Sequence, residues 1–243
     1  MAATVRLVGA GRAGSSLAAA LSQVGWEVEP ILRRGDDLRK AADGVDVVFI
    51  ATDDLSIPTV AAEIEPVPST VVAHLSGALG LDVLLPHLRR ASMHPLVPLP
   101  DPTTGAARLL SGAPFAVSGD EFIALVVNSL GGRIVEVAED HRVLYHAAAC
   151  IAANHLVALL GQVERVAKLA GLQLEDFLDL SRMAIEDVAR LGPAAALTGP
   201  AARKDWATIN KHREALPPSE LLSYNALVDL AVALSTAHEG EAR

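Results

Sequence analysis

An α/β domain followed by a smaller all-helical domain is the fold class predicted by three features of this 243-residue chain. A glycine-rich turn joins the first strand pattern to the first helix pattern. Strand-like and helix-like segments then alternate as far as Val137. Beyond Val137 no strand pattern recurs, and long Ala/Leu-rich helical patterns take over.

The first strand, 4–8, runs directly into Gly9-Ala10-Gly11-Arg12-Ala13-Gly14, and a helix is expected over 12–24. G-x-G-x-x-G after a strand and before a helix is the dinucleotide-binding fingerprint of a Rossmann domain. Gly9 allows the tight turn, Gly11 the close approach of a pyrophosphate, and Gly14 the packing of helix on strand. The N–H groups at the helix start, around Arg12 and Ala13, face the phosphates with the positive end of the dipole. The plain alternative is a glycine turn in a fold without its ligand.

The second strand, 27–32, ends in Arg33-Arg34 and carries no acid at its end. An NAD site places Asp or Glu there for the ribose 2′-hydroxyl, whereas guanidinium forks suit a 2′-phosphate. NADP(H) is therefore the expected cofactor, with Arg33 and Arg34 holding it. Asp36 and Asp37 either touch the ribose or cap a helix over 37–43. The third strand, 46–51, is a continuous apolar run, as in a strand buried on both faces. It ends in Thr52-Asp53-Asp54, before a helix over 56–64. A strand over 70–75 leads to His74-Leu75-Ser76-Gly77, and a helix is expected over 80–89. The strand over 91–93 leads to His94-Pro95. Strands over 114–118 and 133–137 flank a helix over 120–130.

Ligands of open α/β sheets sit beyond the carboxyl ends of the strands. Thr52 and Ser76 are expected to hydrogen-bond the nicotinamide ribose or amide. Asp53 either joins them or caps the next helix. His74 and His94 either face a substrate pocket or bond to backbone as structural histidines.

The domain boundary falls near 138–140, giving a cofactor domain at 1–138 and a helical domain at 139–243. One long helix starts near Asp140 and runs toward Ala170. Further helices follow at 175–191, stopped by Gly192-Pro193, and at 205–216, stopped by Pro217-Pro218. The last begins after Ser219 and reaches about His238. At 3.6 residues per turn Arg142, His146, Cys150 and Asn154 form a polar stripe on an apolar helix. Such a stripe is a site or a buried hydrogen-bond network. Leu197-Thr198-Gly199-Pro200 through Arg203 and Asp205 forms another polar group. There Arg203 binds a substrate carboxylate or pairs locally with Asp205, itself a candidate N-cap.

The formal charge of −9 argues against nucleic acid. The single cysteine, Cys150, excludes an internal disulfide and reads as a buried small hydrophobe. The eight histidines show no H-x-x-x-H arrangement with an acid, so no metal is expected, and G-x-S-x-G is absent. The N-terminus leads straight into a strand, and the most apolar run, 147–160, is broken by Asn154-His155. A cytoplasmic protein without membrane partners is the expectation. The long helices suggest a homodimer interface.

The glycine turn, His74-Leu75-Ser76-Gly77, His94-Pro95, Tyr145-His146-Ala147-Ala148-Ala149 with Asn154, and Leu197-Thr198-Gly199-Pro200 through Arg203, Asp205 and Thr208 together resemble one family. It comprises two-domain Rossmann-like oxidoreductases whose helical C-terminal domain was long of unknown function. They are distant relatives of pyrroline-5-carboxylate reductases and of 6-phosphogluconate and 3-hydroxyisobutyrate dehydrogenases. The resemblance covers nearly the whole chain. Some members act as an alternative ketopantoate reductase in pantothenate synthesis, which makes ketopantoate the first substrate candidate. The family's usual lysine three residues before the tyrosine is Arg142 here, and Arg does not release a proton at neutral pH.

The expected reaction is hydride transfer from NADPH to a small 2-oxo acid. His146 is expected to supply the proton, because histidine titrates near neutral pH. Asn154 is expected on the carbonyl oxygen, with Arg142 and Arg203 on the carboxylate and His94 in the pocket. The alternatives are an imine reductase and a non-catalytic NADP-binding sensor or assembly protein.

Overall fold

The computed structural model describes residues 2–241, which divide into compact units at 1–153 and 154–243. The first unit is built on a seven-stranded sheet. Its strands are β1 (Thr4–Val8), β2 (Glu27–Val28), β3 (Val47–Ile50), β4 (Val71–His74), β5 (Arg90–Pro95), β6 (Pro114–Gly119) and β7 (Arg133–Glu136). Their order is β2-β1-β3-β4-β5-β6-β7, and every neighbouring pair is parallel except β5 with β6. This is the Rossmann-type α/β sheet expected from the sequence. The order reverses at β1, which lies between β2 and β3. The crevice beyond the ends of β1 and β3 is thus the place where such sheets bind ligands.

Helices α1 (Arg12–Gln23), α2 (Ile57–Glu63), α3 (Pro102–Leu109) and α4 (Phe122–Ser129) connect the strands. Two buried clusters divide the side chains by strand alternation. Val47 and Phe49 of β3 join Leu7, Leu17, Leu21, Met93 and Phe115 in one. Val48 and Ile50 join Val8, Leu38, Ile57 and Leu84 in the other. All four β3 residues are buried, as the apolar run requires.

Four local expectations differ from the structure, the first being the second strand, expected over 27–32 and regular only over Glu27–Val28. Residues 37–43 form turns. Arg39 forks onto Asp37, and the Arg6 guanidinium donates to the Lys40 and Ala41 carbonyls, replacing helical partners. Residues 80–89 form only one 3₁₀ turn, Leu81–Leu84, because Pro86 disfavours helical geometry at Leu85. Helix α3 was not expected, although Asp101 caps it by accepting from the Thr104 N–H at 2.8 Å and Pro102 occupies its first turn.

After β7 a 3₁₀ turn (Glu139–His141) leads into α5 (Arg142–Cys150), a π-helical turn (Ile151–His155) and α6 (Leu156–Leu169). The units part between Ala153 and Asn154, later than the boundary expected near 138–140. Residues 139–169 are long and apolar enough to cross a membrane by length and composition, and their most apolar window is unburied. The sequence reading, which took Asn154-His155 to break the run, had not anticipated this.

The second unit is helical throughout, with α7 (Glu175–Leu191), α8 (Pro193–Ala196), α9 (Gly199–Ala202), α10 (Trp206–Ala215) and α11 (Pro218–Glu241) after α6. Its buried apolar core is small, with Ala167, Ile209 and Val228 as its buried apolar members among the described residues. Buried Glu220 is held by a two-pronged pair with Arg165 at 2.7 and 3.0 Å. An apolar groove of about 830 Å³ runs along this unit, lined in part by Leu159, Val166, Phe177, Ile209 and Leu227.

Candidate active site

The glycine turn has the shape a dinucleotide needs. Gly9 has φ +111°, and a Cβ there would lie 2.6 Å from the Ala51 carbonyl oxygen. A Cβ on Gly14 would lie 2.1 Å from the Gly9 oxygen, so β1 and α1 close together only with glycine. At Gly11 a Cβ would meet nothing within 4 Å. That open side is where a ligand's backbone-hugging pyrophosphate belongs. Helix α1 has no side-chain cap and no acid in its first turn, so its terminal N–H groups are left to an anion. Arg12 is exposed there and Ala13 is half-buried.

Leu32 bridges to Val8, carrying the chain after β2 toward this turn. Arg33 and Arg34 follow, both exposed. Asp36 accepts from the Arg33 N–H at 2.7 Å, so it shapes the loop. Across the crevice Asp53 accepts from the Ser56 N–H and hydroxyl at 3.1 and 2.9 Å. Those bonds hold its carboxyl below the usual range, with a smaller contribution from the charge of Arg34. The Thr52 hydroxyl turns to the Asp53 carbonyl at 3.3 Å. The residues present fit a dinucleotide with an extra phosphate on the Arg33-Arg34 side.

Ser76 differs from its expected role. Its hydroxyl donates to Asp54 Oδ2 at 2.8 Å and accepts from the Ala78 and Leu79 N–H groups at 3.2 and 3.1 Å. One donor and two acceptor sites are thereby used, leaving none for a nicotinamide. Ser76 orders the loop after β4.

A cluster of rings gathers beyond the ends of β4 and β5. His94 Nδ1 lies 2.7 Å from the Tyr145 hydroxyl, with the rings edge to face at 5.7 Å. The His146 ring stands edge to face with His94, also at 5.7 Å. Gly77 makes room for both, since a Cβ there would lie 2.6 Å from His146 Cδ2 and 3.0 Å from His94 Cε1. Burial pushes the His94 pKa down to about 4, helped by the neighbouring charges of His146 and Arg142. His94 is therefore neutral at physiological pH. Burial pushes the Tyr145 phenol up, so it keeps its proton.

His74 is fully buried, with Nε2 3.2 Å from the Gly80 carbonyl and no partner for Nδ1 among the described residues. Burial lowers its pKa, and the position answers the structural alternative.

Arg142 is 1% exposed. It donates to the Ser76 carbonyl at 3.0 Å and to the Ser118 hydroxyl at 3.2 Å, with Glu139 at 3.9 Å. Its guanidinium joins β6 to the loop after β4 through its two terminal nitrogens, while the buried Nε has no hydrogen-bond partner among the described residues. The stripe on α5 holds for Arg142, His146 and Cys150. Cys150 is half-buried, rather than fully buried as expected, and its Sγ lies 3.8 Å from His146 Nε2. The π-helical turn then changes the register, and Asn154 opens the second unit as an exposed residue.

In the second unit Arg203 is exposed just after α9. Asp205 caps α10, accepting from the Thr208 N–H at 3.1 Å and from its hydroxyl at 2.8 Å. Among the described residues no group of three or more His, Cys, Asp or Glu is arranged to hold a metal.

Sequence reasoning missed Tyr145 and Gly77 as site residues. Tyr145 adjoins the chosen His146, and Gly77 closes the strand-end motif at His74. Neither position reveals by itself which ring it meets.

Residues 114–230 match the model of a domain of unknown function, DUF2520. No curated protein matches the chain in sequence. Several solved structures share its fold over nearly the whole chain. A candidate NADP oxidoreductase from Bacteroides fragilis is 18% identical with a TM-score of 0.80, over 96% of this chain and 98% of that one. A reductive aminase from Aspergillus terreus, in complex with NADPH and ethyl levulinate, is 14% identical with a TM-score of 0.73, over 98% and 99%. A pyrroline carboxylate reductase from Plasmodium falciparum with NADP bound is 12% identical with a TM-score of 0.62, over 96% and 98%.

Proposed function

We propose that this chain, a Rossmann-type fold carrying the DUF2520 domain, is an NADPH-dependent reductase of a small carbonyl or imine compound. One observation carries the reading: the open glycine turn at the reversal of strand order shares a sheet with the His94–Tyr145–His146 cluster beyond β5. Similar folds crystallised with NADP or NADPH support the cofactor. When bound, NADPH supplies the hydride. Gly9, Gly11, Arg12, Ala13 and Gly14 hold its pyrophosphate, and Arg33 and Arg34 its 2′-phosphate. Thr52 and Asp53 border the same crevice.

A 2-oxo acid remains the first substrate class, with ketopantoate and a place in pantothenate synthesis the leading candidate. The cluster supplies the proton, with His146 the donor favoured by the sequence. Asn154 and Arg203 would add contacts to the carbonyl and the carboxylate. A cyclic imine is the second reading, supported by the similar folds of a reductive aminase and a pyrroline carboxylate reductase.

The protein works as a cytoplasmic homodimer on this reading. Its support is the thin core of the helical unit beside exposed Leu159, Leu169, Leu180, Met183, Ile185 and Leu227. Sedimentation at micromolar concentration should give twice the mass of one chain; a monomer would remove the dimer.

The functional test is NADPH oxidation with ketopantoate and with 1-pyrroline-5-carboxylate. Turnover of the first supports the oxo-acid reading and of the second the imine reading. Tight NADPH binding without turnover of any oxo acid or imine would favour a sensor.

A further inference from the structure

We propose that Tyr145 is the proton donor of the reduction and that His94, bonded to its hydroxyl, restores the proton. This inference rests on the reductase reading above.

The pair is isolated by its geometry. His94 Nδ1 and the Tyr145 oxygen are 2.7 Å apart, a short bond between residues 51 positions apart in sequence. His146 is in ring contact with His94, but its Nε2 faces Cys150 Sγ at 3.8 Å. Among the described residues no hydrogen bond links it to the pair. Gly77 lets the His94 edge bearing Nδ1 lie against the backbone, at 3.1 Å from where a Cβ would be. The opposite nitrogen, Nε2, has no partner among the described residues, and His94 is only partly covered. One nitrogen thus meets the phenol while the other is left to water.

In the Nδ1–H tautomer the ring donates to the phenol oxygen, and the phenol proton points away to a substrate. As the carbonyl carbon gains its hydride, the electron pair of the C=O bond moves to oxygen. The Tyr145 O–H bond breaks and a new O–H bond forms on the substrate. A phenol is a stronger acid than the alcohol being made, so the transfer runs downhill. The phenolate takes the Nδ1 proton as Nε2 takes one from water, which leaves hydroxide in solvent and the neutral Nε2–H ring; exchange with water after product has left returns the Nδ1–H tautomer for the next turnover. One proton enters from solvent per turnover, and neither residue changes oxidation state. An imine nitrogen would take the same proton.

The neutral state of His94 suits a relay, which passes a proton through without storing a charge. Arg142 adds to this state by its nearby charge and is a positioning residue, tied to Ser76 and Ser118.

The experiment compares unaltered protein with Tyr145→Phe, His94→Ala and His146→Ala, using ketopantoate and 1-pyrroline-5-carboxylate as probes. NADPH binding is measured by fluorescence, and the histidine rings by ¹⁵N NMR. Tyr145→Phe should lower kcat by about 10²-fold or more, as loss of a positioned acid does, with NADPH affinity within twofold. It should also shift the ¹⁵N signals of His94, which report the tautomer without turnover. His94→Ala should lose rate that added imidazole restores, an effect a merely structural residue would not give. The rate of the unaltered protein should stay flat as pH rises from 6 to 8, whereas a histidine donor would lose rate through its own pKa.

Tyr145→Phe with kcat within threefold of the unaltered protein, beside a His146→Ala that is inactive, would overturn the proposal. Should Tyr145→Phe fail to fold, absence of imidazole rescue in His94→Ala would overturn it independently. NADPH binding with no reduction of any oxo acid or imine would overturn the reductase reading itself and this inference with it.

Discussion

Acid should destabilise this protein through His94 by an amount that the structure sets. Folded His94 takes up a proton only near pH 4, against an ordinary value of 6.5 for the unfolded chain. Between those values the unfolded chain binds the extra proton. The stabilisation is therefore complete above about pH 6.5 and is lost as pH falls through the folded pKa. One pKa unit is worth about 1.4 kcal/mol, so the whole contribution is about 3 kcal/mol, and about 2 kcal/mol of it is gone by pH 5. His74, also pushed down by burial, adds a loss of the same sign. Urea unfolding at pH 7.5 and pH 5.0 measures the loss in the unaltered protein and in His94→Gln. The unaltered protein should lose about 2 kcal/mol more than the variant over that interval. Parallel losses would show that His94 titrates alike in both states and would refute the account of its burial.

Three further predictions separate cofactor contacts from structural ones. Gly11→Ala should leave stability within about 1 kcal/mol yet weaken NADPH binding at least tenfold, because its Cβ meets only the ligand's space. Gly14→Ala should cost about 2–3 kcal/mol in urea unfolding, because its Cβ strikes the Gly9 oxygen. Arg142→Met should cost about 3 kcal/mol or more by breaking a buried charged network, and lower Tm by about 10 °C. A Tm within 2 °C in calorimetry would mean that the guanidinium does not hold the loop after β4.

What the sequence disclosed follows from the range of each interaction. The glycine turn was legible because its requirements are local: Gly9 needs a positive φ and Gly14 needs a bare Cα within five residues. The sheet was legible because two-sided burial leaves an apolar run such as Val47–Ile50. Helix α3 had a readable signal in Asp101-Pro102, and Pro86 spoke against a helix over 80–89. The roles of Arg142, Ser76 and Tyr145 were of another kind. Arg142 bonds to Ser76, 66 residues away, Ser76 to Asp54, 22 away, and Tyr145 to His94, 51 away. Periodicity placed Arg142 and His146 on one helix face correctly. It could not tell that the first turns into the protein and the second toward a ring cluster. Asn154 follows Cys150 within a π-helical turn, which no residue pattern announced.

The central claim is most directly tested by titrating the purified protein with NADPH and NADH and following oxidation of each with ketopantoate and 1-pyrroline-5-carboxylate. The account predicts micromolar or tighter NADPH binding, at least tenfold weaker NADH binding, loss of that preference in an Arg33→Ser, Arg34→Ser double variant, and turnover of one of the two compounds. Binding of neither nucleotide would contradict it, leaving the glycine turn as a structural remnant of a fold without its ligand.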